Sequence, residues 1–366
     1  MLALLLTCVT VPTTGTHITF VAIGDTGKGT VLQSLVADQM AMVCANEDCD
    51  FALMLGDNFY NCGVDPDTGG GPDPLWDTRF NDIYDQASLQ IPFYAVPGNH
   101  DYWAENPDGT CDTGNGWAAD RAAAQVSYSL NNYPANTQFS MPWLPSYEMT
   151  EPHDWIELFP LDTQRIVLGM GDDGNPGTTL QWTDTADRIA ASTANFKVAF
   201  GHHPYLSNGS HGDAGDYDNT TVGAADVCDP TTHVPATSEA SDAGVCWRQY
   251  MEDEVCGEVD LYLSGHDHNL QYLEPVAGCG DTAFIVSGSG GQVSSLSGSN
   301  TAYAESAAAG FFLLKVCGPL GRLDQVTMYE HDGTVLYTYN HPDAGSCPMT
   351  YDEKAELQIE AARVAG

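Results

Sequence analysis

Phe51-Ala52-Leu53-Met54-Leu55-Gly56-Asp57-Asn58-Phe59-Tyr60 is an apolar run that stops at a glycine and then presents a carboxylate and a phenol. Residues 51–55 read as a short buried strand. Gly56 lets the backbone turn sharply. Asp57 then stands at the carboxyl end of the strand, where open α/β sheets place their sites. Carboxylate and phenolate are hard oxygen donors and together suit a hard, highly charged metal. Alone, the stretch is equally a strand, a turn and a packing tyrosine, so its neighbours decide.

The same pattern recurs on both sides. Residues 16–23 read as a first strand, rich in β-branched and aromatic residues, ending in Gly24-Asp25-Thr26-Gly27. Val31, Leu32, Leu35, Val36 and Met40 follow at helix spacing. Beyond Tyr60, a Gly-, Pro- and Asp-rich loop (61–74) and a helical 76–84 lead to a strand at 93–97, ending in Gly98-Asn99-His100-Asp101. This β-α-β-α-β order predicts a parallel sheet with a site on one edge. Residues 103–120 read as loop. Strands at 126–130, 138–141, 155–159 and 165–168 imply an antiparallel stretch, and 180–191 reads as helix. A strand at 197–200 ends in Gly201-His202-His203-Pro204, and one at 259–263 ends in Ser264-Gly265-His266-Asp267-His268. Between them lie a long polar loop (208–244), of a length usually functional or mobile, and a helix (245–255). The last third gives strands at 269–273, 283–286, 311–316, 325–329 and 335–339, with a Ser/Gly/Ala-rich loop over 287–309. With no repeat or linker, one catalytic domain is expected over 16–345, after a leader at 1–15 and before a tail or helix at 346–366.

Composition narrows the chemistry. The 366 residues carry 11 basic and 50 acidic side chains, a formal net charge of -39. A nucleic-acid backbone would be repelled. An acidic protein acting on anions needs a local positive charge, which bound metal ions supply. No apolar run is long enough to span a bilayer. Ten of the 11 cysteines, all but Cys8, are spread through loop-like sequence without a CxxC pair. Five disulfides in an oxidising compartment follow, with Cys44–Cys49 and Cys228–Cys246 as local pairs. Residues 1–15 look like the apolar part of a secretion signal, although the basic segment that opens such signals is missing. Cys8, after Leu-Leu-Thr, has the setting of a lipid attachment site. The chain is therefore expected to be secreted, extracellular or periplasmic, with anchoring through Cys8 left open.

Five strand ends now carry Asp25, Asp57 with Tyr60, Asn99 with His100, His202, and His266 with His268. A lone histidine at a strand end is more often structural than a ligand, but five such ends are not explained that way. Seven oxygen and nitrogen donors, His100 apart, exceed what one transition-metal ion with an open position uses. Two ions sharing a bridging carboxylate would use them, and two-metal sites clamp both oxygens of a phosphoryl displacement.

Asp-x-Gly (25–27), Gly-Asp-x-x-Tyr (56–60), Gly-Asn-His-Asp (98–101), Gly-His-His-Pro (201–204) and Gly-His-Asp-His (265–268) resemble the five-motif signature of the purple acid phosphatases, within the calcineurin-like metallophosphoesterases. The likeness runs from about residue 18 to about 340 and is closest to the small, tartrate-resistant type. Most other members of the superfamily carry a histidine two residues after the first aspartate. Here Gly27 stands there, and Tyr60 takes over that ligand role. The resemblance implies an α/β fold, a four-layer α/β/β/α sandwich of two mixed β-sheets flanked by helices. It implies Fe(III) held by Asp25, Asp57, Tyr60 and His268, and a second divalent metal (Fe, Zn or Mn) held by Asp57, Asn99, His202 and His266. It places His100 and His211, nine residues after His202, beside substrate and leaving group. His203 is expected to pack behind the ligands.

The function expected is acid phosphatase, hydrolysing phosphate monoesters. Metals make bound water acidic, so hydroxide for attack on phosphorus survives at low pH, and His100 or His211 as imidazolium protonates the leaving alkoxide. The partners expected are small phosphorylated substrates, with no nucleic acid and no second subunit. A phosphodiester or nucleotide hydrolase of the same superfamily is the alternative, and a non-catalytic secreted surface protein is a further one. Some features depart from the family pattern. The loop at 171–178 is short where the animal enzymes carry a regulatory one. Cys62 and Cys111 are expected to tie two loops near the pocket mouth. Asn208-Gly-Ser matches the glycosylation pattern but is read as chance, since a glycan there would crowd His211.

Overall fold

Alternation along the first strands gives each residue one of two destinations. Val21 and Ile23 point to one side of their sheet, and Phe20 and Ala22 to the other, as the two-residue period of a strand requires. The computed structural model describes residues 17–68, 72–130, 138–141, 147–148, 155–169 and 181–348. Its strands, in chain order, are β1 (His17–Ile23), β2 (Phe51–Leu55), β3 (Phe93–Val96), β4 (Trp103–Glu105), β5 (Cys111–Trp117), β6 (Phe139–Ser140), β7 (Tyr147–Glu148) and β8 (Ile156–Pro160). They continue with β9 (Phe196–Phe200), β10 (Leu261–Ser264), β11 (Leu270–Leu273), β12 (Ala283–Ser287), β13 (Ala302–Ser306), β14 (Gly310–Cys317), β15 (Arg322–Glu330) and β16 (Val335–Asn340). Two seven-stranded mixed sheets result, in the orders β16-β15-β14-β1-β2-β3-β6 and β13-β11-β12-β10-β9-β8-β7.

Three apolar layers hold these sheets. Phe20, Phe51, Leu53 and Phe312 of the first sheet meet Leu158, Val198, Phe200 and Leu263 of the second. The rings of Phe20 and Phe51 stack at 4.8 Å. Full burial of one such side chain contributes about 1.5–3 kcal/mol. On the outer face of the first sheet lies α1 (Val31–Glu47), which buries Val36, Met40 and Val43 against Val21 and Met54. Thr30 caps its start, its hydroxyl accepting from Gln33 N–H at 3.2 Å, and Asp48 ends it in the left-handed region. Beside it packs α2 (Ala119–Leu130). The second sheet is covered by α3 (Thr163–Leu168), α4 (Ala186–Ala191), α5 (Ser238–Asp242) and α6 (Val245–Tyr250), through Ile166, Ile189, Ala240 and Trp247. This is the expected four-layer α/β/β/α sandwich of two mixed sheets flanked by helices.

Several local expectations are corrected. Residues 126–130 belong to α2 rather than a strand: Val126 and Tyr128 are buried, but in a twelve-residue helix. Residues 165–168 are α3, because the Asp162 carboxylate accepts from Arg165 N–H at 3.3 Å and Gly169 closes the helix at φ 57°. Residues 103–120 hold the β4–β5 hairpin rather than bare loop, and β13 stands inside the small-residue stretch 287–309. The five disulfides are Cys44–Cys49, Cys62–Cys111, Cys228–Cys246, Cys256–Cys279 and Cys317–Cys347, which include all three pairs expected. The leader at 1–15 with Cys8, the loop at 171–178 and the tail beyond 348 lie outside the described residues. Among the described residues no helix is long and apolar enough to cross a membrane.

Candidate metal centre

The carboxyl ends of β1, β2, β3, β9 and β10 meet where the two sheets adjoin, and each carries its polar residues into one pocket. Backbone bonds lock the ends together: Asp25 N–H donates to Gly56 O at 3.0 Å, and Gly265 N–H to His202 O at 3.0 Å. Asp25, Asp57 and His266 all sit at positive φ (57°, 52° and 67°), a region that costs non-glycine residues about 1–3 kcal/mol and gathers at functional sites. Close approach is the second demand: a Cβ on Gly98 would stand 2.2 Å from Asp57 Oδ1.

The pocket has two halves. In one, Tyr60 Oη lies 3.0 Å from Asp25 Oδ1 and 3.4 Å from His268 Nε2, and His268 Nε2 lies 3.3 Å from Asp25 Oδ1. In the other, His202 Nε2 lies 2.8 Å from Asn99 Oδ1, 3.2 Å from His266 Nδ1 and 3.4 Å from Asp57 Oδ1. Asp57 stands between, its carboxylate 3.4 Å from His202 Nε2 and adding to the charge that bears on the Tyr60 phenol. Asp25, Asp57 and His202, all buried, offer ligand atoms within 4.8 Å of one another.

Donor chemistry tests whether a cation fits. His202 Nδ1 faces Leu55 O at 2.9 Å and so donates to it, which turns Nε2 into the pocket. It faces the Asn99 amide, the Asp57 carboxylate and a second imidazole nitrogen, a set of nitrogen and oxygen donors gathered on one point. Carboxylate and imidazole donors gathered this closely suit a positive charge among them. Protonation is opposed, since burial and the neighbouring imidazoles hold His266 well below the usual histidine range. Burial, then the Asp25 and Asp57 carboxylates, push the Tyr60 phenol well above its usual range, and only a bound cation reverses that order. The residues fit a metal ion in each half.

His100 and His211 flank the pocket. His100 N–H donates to Asp57 Oδ1 at 2.9 Å, and its ring lies between Tyr60 (4.1 Å) and Trp103 (3.8 Å). Its Nδ1 is 2.7 Å from Asn61 O and its Nε2 3.9 Å from Asp57 Oδ2. The His211 ring lies 4.2 Å from that of His266, with Nδ1 2.8 Å from Asp218 Oδ1. His203 is buried behind the pocket, 2.8 Å from the Thr163 hydroxyl, the packing position expected of it. Asn208 is buried too, its amide donating to Asn300 O at 2.9 Å, so no glycan attaches there without opening the loop.

Other residues escaped the sequence reading. Asp101 accepts from Asn58 N–H, Phe59 N–H, Gly98 N–H and Gln125 Nε2 at 2.8–3.0 Å and so shapes the turns that carry Asp57 and Asn99. Its place in Gly-Asn-His-Asp was the available signal. Lys28 Nζ lies 4.2 Å from the Tyr60 ring centroid. Gln292, in the small-residue loop, lies 2.7 Å from His268 Nε2, and nothing in its surroundings in sequence marks it.

The chain belongs to the calcineurin-like phosphoesterase family, whose model matches residues 18–270, and is a phosphatase. Among its relatives is Purple acid phosphatase 7 of Arabidopsis thaliana, 30% identical over 282 residues that cover 75% of this chain and 70% of the relative. Purple acid phosphatase 17 of Arabidopsis thaliana is 27% identical over 271 residues, 70% of this chain and 64% of the relative. Tartrate-resistant acid phosphatase type 5 of Mus musculus is 28% identical over 291 residues, 74% of this chain and 72% of the relative. The chain thus spans 64% to 72% of these relatives' length. A solved structure, GAP50, described as the anchor in the inner membrane complex of Plasmodium, shares the fold at a TM-score of 0.60 and 22% identity, covering 88% of each chain.

Proposed function

We propose that the protein is an acid phosphatase that hydrolyses phosphate monoesters with a dinuclear metal centre, and that it works outside the cell. The observation that carries this reading is the convergence of Asn99, His266 and Asp57 on His202 Nε2, matched by a carboxylate, a phenol and an imidazole in the other half. Asp25, Asp57, Tyr60 and His268 would hold a ferric ion. Asp57, Asn99, His202 and His266 would hold a divalent Fe, Zn or Mn, with Asp57 shared. When bound, such ions polarise phosphoryl oxygens and make water acidic enough to act as a nucleophile.

The chain's own residues supply the rest. His100 Nδ1 is tied to Asn61 O, so Nε2 is the atom left to carry a proton on the pocket side. His211 Nδ1 is tied to Asp218, which leaves its Nε2 in the same role. Either imidazolium serves as the acid for a leaving alkoxide, a contribution of about 10²–10⁴-fold. Burial of Asp25, Asp57, Tyr60 and His202 limits the screening of these charges by water. In a chain of net charge -39, Lys28 beside Tyr60 adds a positive charge where an anionic substrate enters. Five disulfides support an oxidising compartment.

The test is release of the aryl alcohol from an aryl monoester and an aryl diester across the acid range, before and after stripping with a chelator. The reading expects faster release from the monoester, loss on stripping and recovery when metal is returned. Turnover by fully stripped protein contradicts it, and preference for the diester replaces the substrate class.

A further inference from the structure

Gln292 lies between β12 and β13, in a loop whose composition says nothing of chemistry. Its side-chain amide stands 2.7 Å from His268 Nε2 and 3.4 Å from Tyr60 Oη. Backbone bonds on both sides hold it there. Gly290 N–H donates to Gly24 O at 3.1 Å, the Thr30 hydroxyl to Gly291 O at 2.8 Å, and Ser294 N–H to His268 O at 2.7 Å. Two of these partners flank the Asp25 turn, and the third is His268 itself.

The spacing is informative. Ligand bonds of about 2.0–2.1 Å put neighbouring donors of one ion roughly 2.9 Å apart in an octahedron and roughly 3.4 Å apart in a tetrahedron. Asp25 Oδ1, Tyr60 Oη and His268 Nε2 are separated by 3.0, 3.3 and 3.4 Å. The Gln292 amide stands 3.4 Å from Tyr60 Oη and 2.7 Å from His268 Nε2, close enough to join the same set of donors. The other half of the pocket repeats the arrangement, with the Asn99 amide 2.8 Å from His202 Nε2. A half-turn of its last torsion lets a glutamine present oxygen or nitrogen, and beside a cation the oxygen turns inward. A neutral amide oxygen is a hard donor, suited to the ion that carboxylate and phenolate select.

We propose that Gln292 is a further ligand of the metal centre, its amide oxygen joining Asp25, Asp57, Tyr60 and His268 around one ion. This inference rests on the proposed dinuclear function. A fifth protein donor leaves a six-coordinate ion one open position, so substrate would engage the other ion more fully.

The test is metal retention. Purified wild-type protein, Gln292→Met and Gln292→Glu are dialysed against graded EDTA, and metals per chain are counted by mass spectrometry, with melting curves of the stripped forms as the fold control. Gln292→Met should lose one of two metals at EDTA about tenfold to a hundredfold lower than wild type, the range by which weakened metal sites respond. Gln292→Glu, which keeps an oxygen donor, should hold both. Should the Met form not fold, Gln292→Asn, which withdraws the oxygen by one methylene, takes its place. Equal retention by the Met form and wild type overturns the inference. So does a Glu form that loses metal as readily as Met, since the amide N–H would then be what matters. Wild type that holds no metal overturns the proposed function itself, which separates the two failures.

Discussion

Tyr60 is where one atom separates this site from a general phosphoesterase pocket. Its hydroxyl is 3.0 Å from Asp25 Oδ1, while its ring is fixed independently by His100 at 4.1 Å and by Lys28 at 4.2 Å. Tyr60→Phe should therefore fold normally and lose any visible absorption that a ferric phenolate gives, with a colour change read by absorbance spectroscopy. Protein purified with iron whose band survives Tyr60→Phe would show the phenol is not a ligand. Strain offers a second prediction. Asp25 sits at φ 57°, so Asp25→Gly should resist urea better than Asp25→Ala by about 1 kcal/mol, the left-handed cost a Cβ carries. Equal midpoints would mean that the turn adapts. The candidate ligands were legible in sequence because each follows a glycine at a strand end. Gln292 and Asp218 were not, because tertiary packing alone brings them to the pocket, and Lys28, though next to Gly27, was not because nothing in sequence shows that it lies over the Tyr60 ring.

Elements decide how firmly the pocket mouth is held. The β4–β5 hairpin carries Trp103 to the face of His100 and is tied to the turn after Tyr60 by Cys62–Cys111, which are 49 residues apart. Replacing both cysteines with serine should lower unfolding free energy by about 4 kcal/mol, measured by denaturant titration. An unchanged midpoint would show that the hairpin is held by packing alone. Behind it, burial pushes the Asp162 carboxyl up to about 6, against the Tyr102 hydroxyl and the nearby Arg165 that favour its charge. The native state then holds a proton that the unfolded chain releases, so this group's stabilisation is full below about pH 4 and is lost as pH rises through about 6. Relative to wild type, Asp162→Asn should gain stability between pH 4 and 7 by as much as about 3 kcal/mol, read from denaturant titrations at both pH values. A gain in the opposite direction would mean the carboxylate is held charged. The helix that Asp162 caps was misread as a strand because Ile166, Val167 and Leu168 form a branched apolar run, and the cap at Asp162 and Gly169 carried the deciding signal. Residues 126–130 misled for a similar reason: their local alternation sits inside a longer helical period.

At the scale of the whole molecule, the sheet order, the three apolar layers and the acidic surface belong together. The β-α-β-α-β order made the parallel strands of the first sheet legible and the family resemblance implied the sandwich, whereas the pairing of β13 with β11 depends on a distant partner and was not legible, nor was the local β4–β5 hairpin in its Gly- and Asp-rich stretch. A formal net charge of -39 repels itself across the surface. Raising salt from about 0.05 M to about 1 M, where screening lengths fall to a few ångströms, should raise the melting temperature. A fall would mean that attractive ion pairs outweigh the repulsion. In the proposed function, two metal ions would occupy the meeting point of the two sheets, with Asp57 linking them. Metals counted per chain in active protein, beside Asp57→Ala, test it most directly. Wild type should carry two per chain, with Asp57→Ala retaining no more than one and losing about a thousandfold or more in rate. Active wild-type protein with no metal, or an Asp57→Ala form that keeps both, would contradict it.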